Sequence, residues 1–151
     1  MTLALSDFEA LSKKLRETGV FVEARIVPNV LYQAYLDGLV VFELNTARDI
    51  ILFGVLWKTL DPKQFEMGTF WKDSMYYKDP ASELIFKALL AKAPKESTLF
   101  ISTTTQTIKD VARNAGWTLC PDPHNSILAS AVDPNRNFGE GRTVYFLQPT
   151  L

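Results

Sequence analysis

The residues in this chain that could do chemistry are few and scattered. The only histidine, His124, lies in the stretch PDPHNS, and the only cysteine is Cys120. No Ser-His-Asp, CxxC, HExxH or Walker-type pattern is present, so no site of these kinds is predicted. A lone loop histidine is typically solvated, and we expect Cys120 to be a small buried residue. One thiol and one imidazole are too few ligands for a metal ion, so no metal site is predicted.

A second candidate region is YYKDPASELIFKALLAKA, residues 76–93, which is typical of a strand end, a tight loop and an amphipathic helix. Helix N-termini bind anions through their free N–H groups. Here Asp79 is predicted as the N-cap and Pro80 as the first helical residue. Because Pro80 has no N–H and Asp79 adds a carboxylate, the loop is predicted to close its own helix rather than to bind an anion.

Hydrophobic periodicity predicts an α/β (α+β) chain. A first helix is predicted from a capping box of Ser6 and Glu9 to a left-handed cap at Gly19. The other predicted helices are 28–37, 80–93 and 107–115, and the predicted strands are 2–5, 39–45, 49–60, 65–73, 98–103 and 142–147. From Trp117 onward the sequence favours proline-rich loops, with 133–142 as an exposed, mobile connection.

Two of these elements have predicted faces. In the helix after Pro80, the predicted buried stripe is Ala81, Leu84, Ile85, Ala88 and Leu89. In the strand 65–73, simple alternation places Phe65, Met67, Thr69 and Trp71 on one face, and Glu66, Gly68, Phe70 and Lys72 on the other.

Composition favours a single domain covering residues 1–151. The chain has 151 residues, of which 47% are hydrophobic, and its 16 basic and 17 acidic residues give a net charge of −1. The absence of a basic excess argues against nucleic-acid binding. No apolar run approaches the roughly 20 residues that span a bilayer, and the N-terminus is not typical of a signal peptide. A cytoplasmic protein without a membrane segment is therefore expected.

The order of the predicted elements resembles the GNAT superfamily of acyl-CoA-dependent N-acyltransferases over essentially the whole chain. LSDFEALSKKL is similar to the opening of that family, and FGVLWKTLD, with Gly54, resembles its third strand. EMGTFWKDSMYYKDPASELIFKALLAKA resembles the fourth strand, cofactor loop and third helix. TLFISTTTQTIKDVARNAGW resembles the fifth strand and fourth helix. The resemblance implies a mixed sheet of about six or seven strands flanked by about four helices.

The same resemblance implies a CoA-diphosphate loop at 77–82, but its motif is degenerate. The family carries Gln/Arg-x-x-Gly-x-Gly/Ala, and here Tyr77, Pro80 and Ser82 occupy the first position and the two glycine positions. Lys78 has two interpretations, a phosphate partner or a solvated loop charge. Gly68 leaves room for a pantetheine arm. If the chain is active, the resemblance implies acyl-CoA as cofactor, with Gly68, Tyr77, Lys78 and Ser82 as candidate contacts; otherwise no cofactor is expected.

For catalysis, the resemblance implies Glu66 as general base, with a pKa raised near the sheet centre. The alternative is an ordinary half-exposed strand glutamate. The family's tyrosine acid is absent, because Ala112 stands in its place and Thr105 replaces a common asparagine. Tyr145, Tyr76 and Tyr77 are substitutes that no spacing favours.

Two functional hypotheses follow. In the first, a GNAT-fold module has lost efficient catalysis and acts by binding a protein partner or by self-association, as in some bacteriophage or virion components. In the second, a divergent N-acyltransferase moves an acyl group from acyl-CoA to a small or protein amine, with Glu66 as base. An open split between the strands 65–73 and 98–103 would favour CoA binding, whereas a plugged split would disfavour it.

Overall fold

One mixed sheet organises the protein, whose computed structural model describes residues 2–149. In the described range the strands are β1 Val40–Leu44, β2 Ile50–Lys58, β3 Gln64–Lys72, β4 Thr98–Thr103, β5 Thr118–Leu119 and β6 Thr143–Leu147. The spatial order is β1-β2-β3-β4-β6-β5, with β3 and β4 parallel and the other pairs antiparallel. The α-helices in that range are α1 Leu5–Thr18, α2 Pro28–Leu36, α3 Ser82–Lys92 and α4 Gln106–Asn114. The predicted α+β class and the predicted numbers of strands and helices are confirmed.

Helices cover both faces of the sheet. β2 is buried from Ile50 to Trp57, which explains its nearly unbroken apolar run. On one face, β1 to β3 pack against α1 and α2, with Phe8 and Phe53 at the centre of that cluster. On the other face, α3 and α4 pack over the strands around Leu56.

The segment that follows β5 contributes a third apolar cluster. Leu128, Val132 and Cys120 pack against Phe100 of β4 and Val144 of β6. The predicted burial of Cys120 is confirmed, since only 3% of it is exposed. Among residues 2–149, no helix is both long enough and apolar enough to cross a membrane.

The start of α1 differs from the prediction. The helix begins at Leu5, so Ser6 lies inside its first turn, and the N–H of Ala4 donates to Oδ2 of Asp7 at 2.7 Å. The predicted Ser6–Glu9 capping box and the predicted strand at 2–5 are therefore wrong. The left-handed cap at Gly19 is confirmed by its φ of 70°.

The start of α3 also differs. The helix begins at Ser82 after an N-cap at Ala81, so the predicted cap at Asp79 and first helical residue at Pro80 are wrong. The reason is a distant residue: the ammonium of Lys72 donates to the carbonyls of Tyr77 at 3.0 Å and Asp79 at 2.9 Å. These bonds hold the preceding loop away from helical geometry.

The buried stripe of α3 is shifted as well. Leu84, predicted to be buried, is 48% exposed, while Phe86 is buried and packs against Trp117 in a tilted arrangement with the ring centres 4.9 Å apart. The buried residues of α3 are Ile85, Phe86 and Leu89, so the buried face is rotated away from Leu84 relative to the prediction.

A β-bulge interrupts β3 at Thr69. Phe53 pairs with Trp71 and Val55 with Gly68, so one residue of β2, Gly54, opposes two residues of β3. Thr69 has a φ of 55°, an uncommon value for a β-branched residue. The bulge reverses the alternation, and the predicted faces are wrong beyond this point. Phe70 joins the same cluster as Phe65 and Met67, whereas Trp71 packs on the α1 side.

Candidate functional site

A cleft opens where β3 and β4 separate. The two strands pair over four residue pairs, from Gln64 with Thr98 to Met67 with Ile101, and diverge beyond them. The cleft has a volume of about 400 Å³. Its walls come from the bulged part of β3, the end of β4, the start of α4, the segment after α1 and two arginines near β6. The split between these strands is therefore open rather than plugged.

Glu66 forms the charged floor of this cleft and is 3% exposed. Arg25 lies in the short 3₁₀ turn Glu23–Arg25, and its Nη2 donates to Oε1 of Glu66 at 2.8 Å. Arg136 approaches from the connection before β6. Its Nη1 and Nη2 donate to Oε1 at 2.5 Å and to Oε2 at 2.9 Å. Two guanidiniums therefore share one buried carboxylate, one of them through a bidentate contact.

This arrangement corrects the prediction of a raised pKa. Burial alone would raise the pKa of Glu66, but hydrogen bonds from Arg136 and the charge and hydrogen bond of Arg25 outweigh it. The pKa of Glu66 is lowered, because both arginines stabilise the ionised carboxylate. The half-exposed strand glutamate considered as the alternative is also wrong. A carboxylate held in this way is a poor proton acceptor near neutral pH.

The cleft carries an excess of positive charge. Arg25, Arg136 and Arg142 line it together with a single carboxylate, Glu66. Arg142 is exposed, and its Nη1 donates to the carbonyl of Ser102 at 2.9 Å. Rings support the other two guanidiniums: Arg25 lies 5.2 Å from the ring centre of Trp57, and Arg136 lies 4.4 Å from that of Phe138. Such cation–π contacts stabilise the positions of the two guanidiniums.

The predicted site residues fall into two groups. Glu66 and Gly68 line the cleft, and a Cβ at Gly68 would meet the indole of Trp57 at 3.0 Å. Tyr77, Lys78 and Ser82 lie beyond the end of β3. Tyr77 packs against the core, Lys78 is exposed and Ser82 opens α3. The described lining of the cleft does not include these three residues.

The candidate acid positions give no proton donor to the cleft. Ala112 is fully buried against α3 and β4, and Tyr145 is a core residue that is 8% exposed. Thr105 lies at the cleft as the N-cap of α4. Nε2 of His124 lies 2.9 Å from the carbonyl of Arg136, behind the arginine that holds Glu66. No tyrosine, histidine or cysteine is among the described residues that line the cleft.

Sequence reasoning missed the three arginines of the cleft. Arg25 follows a helix, and Arg136 and Arg142 lie in the segment predicted as an exposed, mobile connection. Their contacts with β3 and β4 span 40 to 70 residues of sequence. No local pattern signals such pairing. The one available signal was the predicted burial of an acidic residue in a strand, since buried carboxylates are usually paired.

Comparison with solved structures defines the class of fold. A phosphinothricin acetyltransferase of the GNAT superfamily from Sinorhizobium meliloti, in complex with acetyl-CoA, superposes with a TM-score of 0.66 at 10% identity, covering 99% of this chain and 86% of that one. A GNAT-family acetyltransferase from Staphylococcus aureus Mu50 gives 0.62 at 12% identity, with 97% and 93% covered. The ribosomal L7/L12 α-N-protein acetyltransferase RimL, in complex with coenzyme A, gives 0.56 at 13% identity, with 97% and 91% covered.

The protein therefore has the GNAT fold, and the expectation of that fold is confirmed. No protein-family model matches the chain, and the search of curated proteins gives no significant match.

The loop at 77–82 does not fit the diphosphate of an acyl-CoA. Pro80 lacks an N–H, and Asp79 adds a carboxylate to the loop. Lys72, the cation at the end of β3, is already bonded to the carbonyls of Tyr77 and Asp79. One lost hydrogen bond to a charged group costs about 1.5–3 kcal/mol. The ammonium of Lys72 thus binds the carbonyls of the loop instead of an anion.

Proposed function

We propose that this protein uses the GNAT fold as a binding module and does not catalyse acyl transfer from acyl-CoA to an amine. The observation that supports this most is the pairing of Glu66 with Arg25 and Arg136. Amine acylation needs a base that removes a proton from an ammonium group. A carboxylate with a lowered pKa, enclosed by two permanent positive charges, is unsuited to that role.

The electrostatics of the cleft give a second reason. An amine substrate is an ammonium ion at neutral pH, and it would have to approach Arg25 and Arg136 to reach Glu66. Like charges at about 5 Å repel by roughly 3 kcal/mol at an effective dielectric constant of about 20. The cleft therefore disfavours the substrate as well as the proton transfer.

Turnover with acetyl-CoA is the direct test. The purified protein is incubated with acetyl-CoA and a panel of primary amines and lysine peptides, and the release of the CoA thiol is followed. We expect thiol release at the uncatalysed rate across neutral pH. Release that scales with protein concentration and saturates with the amine would overturn the proposal.

Acyl-CoA-dependent N-acyl transfer remains a second candidate, favoured by one observation, the open split between β3 and β4. Calorimetric titration with acetyl-CoA tests it separately from turnover. Heat that saturates at micromolar ligand would support this candidate, whereas no heat at millimolar ligand would exclude it in practice.

For the module itself, we propose a protein partner or a second copy of this chain. Val20 and Val22 are 73% and 58% exposed at the mouth of the cleft. Exposed apolar residues beside a cleft are typical of contact surfaces. Light scattering over a range of concentrations tests self-association, and replacing both valines with serine should lower the apparent mass. A monomer at every concentration, unchanged by the substitutions, would contradict self-association.

A further inference from the structure

We infer that the cleft between β3 and β4 recognises an anionic ligand that carries carboxylate or phosphate groups, and that it rejects amines. This inference rests on the proposed function in one respect, namely that the cleft is not an acyl-transfer site. It goes beyond that function, because it assigns the cleft a small anionic ligand besides the protein contact proposed at Val20 and Val22. The ligand would bind to Arg25, Arg136 and Arg142 and not to the loop at 77–82.

The charge of the cleft exceeds what its own carboxylate requires. One guanidinium would neutralise Glu66, yet Arg25 and Arg136 both bind it, and Arg142 lines the cleft without contacting it. Three positive charges and one negative charge leave a local excess of two. The whole chain has a net charge of −1. The excess is therefore a property of this cleft and not of the molecular surface in general.

Donors remain for a ligand. Each guanidinium carries five N–H donors. Among the described residues, Arg25 uses Nη2 on Glu66, and Arg142 uses Nη1 on the carbonyl and hydroxyl of Ser102. Their other donors have no hydrogen-bond acceptor in that part of the chain. The start of α4, where Thr105 is the N-cap, lies at the same cleft and adds the partial positive charge of a helix N-terminus.

Glu66 positions the arginines before a ligand arrives. It is buried, and it holds Arg25 and Arg136 with three hydrogen bonds while Trp57 and Phe138 flank the guanidiniums. Long side chains otherwise lose rotamer entropy when they bind, about 0.5–1.5 kcal/mol each. The carboxylate therefore has a positioning role in this cleft.

The remaining walls favour a short ligand with an apolar part. Val22, Phe70 and Ile108 give apolar surface, and Thr103 and Thr104 give hydroxyl groups. The volume of about 400 Å³ lies within the range of small-molecule sites, roughly 300–1,000 Å³. A chain of a few carbons that ends in carboxylates or a phosphate matches this combination.

Three probes of equal length and different charge test the inference. Glutarate, glutaramide and 1,5-diaminopentane are titrated calorimetrically at low ionic strength, with inorganic phosphate as a separate arm. We expect one or both of the anions to bind, and the neutral and cationic probes not to bind. Tighter binding of phosphate than of glutarate would identify a phosphate-bearing ligand, and the reverse a carboxylate-bearing one.

Variants show whether binding occurs in the cleft. Arg142→Gln removes an exposed arginine that does not touch Glu66, so the fold should be retained. We expect it to weaken anion binding by about tenfold, the loss of one charge-assisted hydrogen bond. Lys92→Gln, at the exposed end of α3, removes the same charge elsewhere and should leave the affinity unchanged.

Three results would overturn the inference: no binding of either anion, equal binding of 1,5-diaminopentane, or equal losses in the Arg142 and Lys92 variants. Its failure is distinct from failure of the proposed function. That function fails if CoA thiol is released catalytically, whatever the anions do.

Discussion

Glu66 receives hydrogen bonds from arginines that lie 41 and 70 residues away in the sequence. Glu66 was predicted as a candidate because it occupies the general-base position in the strand that resembles the fourth strand of the GNAT superfamily. Its role was not recognisable, because the partners come from a turn after α1 and from the connection before β6. Burial pushes the pKa of a carboxylate up and guanidiniums push it down, so the same position can be a base or an anchor depending on distant residues.

At the residue scale, we expect Glu66→Gln to lower the free energy of unfolding by about 3 kcal/mol at pH 7, because it leaves two guanidiniums beside a neutral amide. Chemical denaturation measures the change. Glu83→Gln is the matched control: Glu83 pairs with Lys87 on the surface of α3, and its loss should cost less than about 0.5 kcal/mol. Equal losses in the two variants would contradict a structural role for Glu66.

The Glu66→Gln variant also tests how the free energy of unfolding depends on pH. The pKa of Glu66 is lower in the folded protein than in the unfolded chain. The stabilisation by ionised Glu66 is therefore complete above the pKa of the unfolded chain, about 4.3. It is lost as the pH falls through the lower pKa of the folded protein. The difference in unfolding free energy between wild type and Glu66→Gln should be constant from pH 6 to 7 and should shrink toward pH 3. A difference that grows in acid would contradict the assigned direction.

At the scale of elements, the positions of the four helices and of most strands followed from periodicity, whereas the strand predicted at 2–5 does not form, β5 was not predicted, and several ends and faces were wrong. Apolar runs and turn residues placed 40–44, 50–58, 98–103 and 143–147 within one or two residues. The start of α3 was wrong because Lys72 fixes the preceding loop through tertiary contacts, and the face of Phe70 was wrong because of the bulge at Thr69. Neither feature has a local signature, since each depends on another strand or loop.

Gly54 offers a test of how β2 and α3 fit together. A Cβ at this position would clash with Cγ2 of Ile85 and would lie 3.3 Å from Cδ1 of Leu89. We expect Gly54→Ala to lower the free energy of unfolding by about 1–3 kcal/mol through overpacking.

A double-mutant cycle provides the control for Gly54. Leucine has no branch at Cβ, so Gly54→Ala should cost less in an Ile85→Leu background than in the wild-type chain. Additive losses would show that this contact does not set the spacing between β2 and α3.

At the scale of the whole molecule, the sheet consists of β1–β3 and β4–β6, joined by the four parallel pairs of β3 and β4. Arg136, from the β6 side, crosses to Glu66 of β3 and adds a second connection. The segment between β5 and β6, predicted only as loops, builds the core cluster under β4. Its role was hidden from sequence reasoning because it has no regular periodicity.

Two neighbouring residues test that role. Leu128 is fully buried against β4 and β6, and Leu128→Ala should lower the free energy of unfolding by about 2–5 kcal/mol. Ile127, the adjacent residue, is 43% exposed, and Ile127→Ala should cost less than about 1 kcal/mol. Thermal and chemical denaturation of both variants make the comparison. Similar small losses would indicate that the segment lies outside the cooperative core.

The extra residue in the β3 bulge opposite Gly54 also limits which mutations the fold tolerates. Deletion of Thr69 would remove the bulge. Every later residue of β3 would then move to the opposite face of the sheet. Trp71 would leave the α1 layer, and the amine of Lys72 would turn away from the carbonyls that it now holds. The number of residues in β3 is therefore more strictly constrained than the identity of its side chains. We expect homologues to differ in this strand by substitution and not by insertion or deletion.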